Sequence, residues 1–127
     1  YIISNGYNYD PTSTDNMVAR ALSINGTEWD LSNISGSPGY DRYSTNIRTG
    51  FNLFPSGYRS GGESFVKGEF RQKGERGMLW TSTEYQGGSI TQKVNGWYLD
   101  VQATKVSADL LSNFKKAGRS VRCLRDW

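Results

Sequence analysis

The chain has 127 residues, a net charge of +3, 15 Gly, 8 Tyr and 4 Trp, which suits one loop-rich domain of short strands and is too short for two ordinary domains. It has no His and a single Cys, Cys123, which removes the usual general base, the Ser-His and Cys-His couples, an internal disulfide and a Cys zinc site. No run of about 18 apolar residues exists, so no segment is read as spanning a membrane, and Lys and Arg are scattered where a nucleic-acid binder would cluster them.

The opening, Tyr1-Ile2-Ile3, lacks a Met and any signal-peptide pattern and reads as a trimmed fragment. Ser4-Asn5-Gly6 ends it, and Asp10-Pro11 makes a turn. Thr14 or Asp15 is placed to cap a helix over residues 16–23, with Met17, Val18, Ala21 and Leu22 on its buried face. Trp29 follows as a core plug. Residues 32–49 are polar and aperiodic, a long loop.

The segment 50–60 packs three aromatics, a Leu, a Pro and two Gly into eleven residues. It predicts a short buried strand over 51–54 and a sharp turn at Pro55-Ser56-Gly57, from which Tyr58 and Arg59 emerge. Residues 64–66 read as a strand and 67–76 as a charged, flexible stretch. Residues 78–84 read as a strand entering the core with Trp80. Over 97–102 the alternation sets Trp97, Leu99 and Val101 on one face and Tyr98, Asp100 and Gln102 on the other. Residues 105–111 alternate again, and 119–125 form the last strand, burying Val121 and an inert Cys123. The expected core is Phe51, Leu53, Trp80, Trp97, Leu99, Val121 and Cys123.

Three blocks stand in order: Gly50-Phe-Asn-Leu-Phe-Pro-Ser-Gly-Tyr-Arg59, Trp80-Thr-Ser-Thr-Glu84 and Gly118-Arg-Ser-Val-Arg-Cys-Leu-Arg-Asp126. With Asn5-Gly6-Tyr7-Asn8-Tyr9-Asp10, Ala19-Arg20-Ala21-Leu22 and Trp29, the chain resembles the Fibrobacter succinogenes major paralogous domain family. Its patterns look like Gly-Phe-x-Ala-Leu-Pro-Ala-Gly-Tyr-Arg, Trp-Ser-Ser-Thr-Glu and Gly-x-Ser-Val-Arg-Cys-x-Arg-Asp. The resemblance implies an α+β, C-type-lectin-like fold over residues 1–127, with one or two helices, short antiparallel strands and long loops. It also implies that the N-terminal strand and the start of the first helix are missing or supplied by another chain, and a bacterial secreted or cell-surface location.

Function divides into three classes. The leading one is a non-catalytic binding or adhesion module for a surface glycan or protein, with no cofactor and no metal. Its expected ligand surface is Tyr85, Gln86, Tyr98, Gln102, Lys105 and Asn113, an exposed strand face with its neighbouring turn. The second is a retroelement-diversified binding protein, because residues 85–116 occupy the position of such variable regions in the fold that the resemblance implies. The third is a carboxylate-dependent enzyme using a pair among Glu63, Glu69, Glu75 and Glu84. The calcium-lectin patterns Glu-Pro-Asn, Gln-Pro-Asp and Trp-Asn-Asp do not occur, and the fold by itself does not give the function.

Overall fold

The computed structural model describes residues 18–40, 50–61, 68–84 and 95–123. Among them are one short helix, α1 (Val18–Leu22), and strands β1 (Tyr58–Arg59), β2 (Phe70–Arg71), β3 (Arg76–Glu84), β4 (Asn95–Gln102) and β5 (Ala108–Phe114). The strands form two antiparallel sheets, β1-β2 and β3-β4-β5. The described part is therefore α+β, built of small antiparallel sheets and one short helix.

The helix sequence Val-Ala-Arg-Ala-Leu favours helix through its Ala, Leu and Arg. Ser23 stops it, its hydroxyl donating back to the Ala19 carbonyl at 2.7 Å. The backbone then pairs with the central segment: Leu53 N–H donates to Leu22 O at 2.9 Å and Ile24 N–H to Leu53 O at 3.1 Å. Ala19, Leu22, Trp29, Leu53, Leu79, Val101 and Ala103 form one buried cluster. Trp29 lies at its centre with no exposed surface, the core plug that its isolation in sequence implies. The turn after β2 ties this cluster together, since Gly74 N–H donates to Pro55 O and Asp30 N–H to Gly74 O.

The β3-β4-β5 sheet explains why simple alternation misplaced several side chains. Directly paired residues share a face. Leu79 opposite Leu99, and Gly77 opposite Val101, point to the helix side; Trp80 opposite Tyr98, and Met78 opposite Asp100, point to the other. The two faces were separated as the alternation implies, but the second face is covered too. Met78, Tyr98 and Asp100 are 2%, 6% and 0% exposed. Tyr98 and Asp100 are therefore not surface residues. Asp100 Oδ2 accepts from Gln102 Nε2 at 2.7 Å and lies 3.6 Å from Arg76 Nη1. Trp80, Trp97 and Leu99 are only half-buried.

Four further expectations are corrected. Residues 51–54 are not a strand: Gly50 and Asn52 adopt φ of 68° and 52°, which breaks extended geometry. Leu53 alone makes a bridge, to Ser23, and Phe54 is half exposed. Residues 119–123 do not continue as a strand. Ser120 bridges Leu79, and the described residues beyond it, 121–123, join no ladder; Val121 and Cys123 are exposed. The stretch expected to be flexible contains β2 and an ordered turn, with Gln72 O accepting from Glu75 and Arg76 N–H. The third strand runs over Ala108–Phe114, later than expected, and Leu110 on it is 63% exposed. The expected strand at 64–66, the turn at Asp10-Pro11 and Met17 lie outside the described residues.

Candidate functional site

The three sequence blocks meet at one place. Gly57 closes the Pro-Ser-Gly turn with φ of 66° and its N–H donates to Arg76 O at 2.8 Å. The chain then enters β1, where Arg59 and Gly118 exchange backbone hydrogen bonds at 2.7 and 2.8 Å. Trp80 N–H donates to Ser120 O at 3.1 Å, and the Ser56 and Ser120 hydroxyls share a hydrogen bond at 2.8 Å. Residues some 60 positions apart in the chain are thereby brought within contact.

Arg119 lies at this junction. Its guanidinium carbon is 4.0 Å from the Tyr98 ring centroid, 4.6 Å from Trp80 and 5.5 Å from Tyr58. Trp80 and Tyr98 themselves meet edge-to-face at 5.9 Å, as their register across β3 and β4 requires. Such cation–π contacts are worth about 0.5–2 kcal/mol each. They hold the guanidinium, yet Nε and Nη1 are buried with no hydrogen-bond partner among the described residues. A buried charge of this kind is costly unless something pairs with it.

Two clefts flank the junction and a third lies near the other end of β4. The first, about 300 Å³, is lined by Ser56, Tyr58, Arg59, Phe70, Arg119 and Ser120. The second, of similar volume, follows the irregularity in β3 between Trp80 and Glu84 and is lined by Thr81, Ser82, Thr83, Glu84 and Lys115. Such bulges re-aim side chains beside functional sites. The third is lined by Asp30, Glu75, Arg76 and Gln102. Cations of the second and third clefts are paired internally, Lys115 with Glu84 at 3.2 Å and Arg76 with Asp100 at 3.6 Å. Among the described residues, Arg59 and Arg119 have no carboxylate partner.

Of the six residues expected to bind ligand, the four that are described do not gather into one site. Tyr98 is buried beneath Arg119. Gln102 is half-buried and hydrogen-bonded to Asp100. Lys105 is exposed and paired with Asp109 at 3.2 Å. Asn113 stands opposite Gly96, six residues along β4 from Gln102 and so about 20 Å away, its Oδ1 accepting from the Phe114 N–H. Tyr85 and Gln86 lie outside the described residues. Of the four glutamates, Glu69 pairs with Arg71 and Glu84 with Lys115, Glu75 is exposed, and Glu63 lies outside the described residues. Sequence reasoning missed Phe70 and Arg119 as site residues. The available signal was the recurrence of an Arg after Gly at both junction strands, Gly57-Tyr-Arg59 and Gly118-Arg119.

Among the described residues no helix is long and apolar enough to cross a membrane. Compared with protein-family profiles, with curated proteins and with solved structures, the chain matches none.

Proposed function

We propose that this protein is a non-catalytic binding module of a bacterial surface or secreted protein, with a C-type-lectin-like fold as its sequence blocks imply. One observation carries the reading. The three blocks converge on a rigid junction whose first cleft presents an aromatic ring, two arginines and two hydroxyls side by side. Phe70, at the rim, is 79% exposed, and an exposed ring on a strand offers contact area at low entropic cost. The ligand surface moves accordingly from the face carrying Gln102 and Lys105 to the cleft of Tyr58, Arg59, Phe70 and Arg119. The test is binding to a glycan array and to a panel of surface proteins, wild type against Phe70→Ser. Phe70 contributes little to packing, so the melting curve should stay put while binding falls about tenfold. Unchanged binding by the variant would place the ligand elsewhere.

A second reading, the retroelement-diversified display protein, is favoured by β5, where Leu110, Leu111 and Phe114 are exposed. An adenine-substituted repeat of the coding region beside a reverse transcriptase would decide for it.

A further inference from the structure

We propose that the cleft between β1 and Gly118-Arg119 binds a carboxylate-bearing sugar, a uronic acid residue of an acidic polysaccharide. The proposal rests on the binding-module reading and names its ligand class. Four observations support it.

The first is charge. Among the described residues, two arginines line the cleft and no carboxylate does, whereas the cations of the other clefts are neutralised by their own glutamate or aspartate. Arg71 on β2 is likewise taken, with Glu69 at 2.9 Å from both Nε and Nη2, and that hydrogen bond raises its pKa. The second is the state of Arg119. Three rings surround its guanidinium, and the described residues supply hydrogen-bond acceptors to neither Nε nor Nη1. A guanidinium has a rigid fork of donors matched to a carboxylate, and among the described residues no carboxylate pairs with Arg119 or Arg59.

The third is the rim. Phe70 exposes its ring beside the arginines, and an apolar ring face suits the C–H face of a pyranose. Ser56 and Ser120 use one hydrogen bond between them, which leaves one O–H and free lone pairs for sugar hydroxyls. The fourth is size. About 300 Å³ is at the small end of ligand sites, enough for a sugar residue and short for an extended peptide, which would also have to be ordered on binding.

Calorimetric titration of the 127-residue chain tests this with four probes: trigalacturonic acid, a neutral galactose trisaccharide, a triglutamate peptide and sodium sulfate. Trigalacturonic acid should bind, and the neutral trisaccharide should bind about tenfold or more weakly, the loss of a charge-assisted hydrogen bond. Binding should weaken with added salt. Arg119→Gln and the exposed Arg59→Gln should each lower affinity for the acidic sugar about tenfold and lower that for the neutral one less. Arg59→Gln keeps the test valid should Arg119→Gln fail to fold. Equal binding of acidic and neutral sugars would overturn the proposal while leaving the binding module intact. Triglutamate binding as tightly as the uronide would make the carboxylate a protein's and overturn it, and so would sulfate binding alone, an adventitious ion only. No binding of any probe, together with an empty array, would overturn both readings.

Discussion

Trp29→Ala is expected to lower stability by about 3–5 kcal/mol, the range for truncating a buried Trp. Trp29 has no exposed surface and sits among Ala19, Leu22, Leu53, Leu79, Val101 and Ala103. Its side chain buries roughly 150–250 Å², worth about 4–6 kcal/mol at 25 cal/mol per Å². The surroundings cannot close the hole easily. Leu53 is held by backbone hydrogen bonds to the end of α1, and the segment after Trp29 is held by Asp30 to Gly74. Against a total stability of about 5–15 kcal/mol, the urea midpoint should fall by about a fifth or more. A midpoint equal to that of the parent would mean that the core lies elsewhere.

Gly57→Ala is expected to cost about 3 kcal/mol or more and to abolish ligand binding with it. The residue has φ of 66°, a conformation that costs an L side chain about 1–2 kcal/mol. An added Cβ would also collide with the Arg71 carbonyl oxygen and stand 2.8 Å from the Gln72 carbonyl carbon and the Lys73 nitrogen. Those are backbone atoms and cannot turn aside, so overpacking adds about 1–3 kcal/mol. The strain falls on the β1-β2 pairing of Tyr58 with Arg71 and Arg59 with Phe70, which carries the cleft. Comparing urea midpoints and array binding of Gly57→Ala with those of Ser56→Ala separates strain from loss of a hydroxyl. If Gly57→Ala melts with the parent, the turn is looser than its geometry requires.

Some of this was legible in the sequence. Trp29 stood out as a lone Trp after a helix, and the Pro55-Ser56-Gly57 turn announced itself by residue type. The β3 and β4 strands were visible in their alternation. That alternation, however, reports which side chains share a face and not whether the face is covered. Tyr98 and Asp100 look like a solvent face, but Arg119 closes over Tyr98, and Arg76 and Gln102 engage Asp100 through its Oδ2. Val121 and Cys123 alternate as a strand would, yet β3 pairs with Ser120 and no further. Phe51 packs partly buried against the core, and the Arg122 guanidinium lies 4.5 Å from its ring. The site was least legible because it depends on contacts between blocks far apart in the chain, which residue spacing does not encode.

The central claim is that Arg119 is held among the Tyr58, Trp80 and Tyr98 rings at the junction of the three blocks. The arginine side-chain NMR spectrum tests it most directly. With its guanidinium 4.0 Å from the Tyr98 centroid and 4.6 Å from Trp80, the Arg119 Hε and Hδ resonances should lie well upfield of those of the exposed arginines, through ring currents. Tyr98→Leu should return them part of the way. Arg119 resonances coincident with those of the exposed Arg59, and unmoved by Tyr98→Leu, would contradict the junction and the cleft built on it.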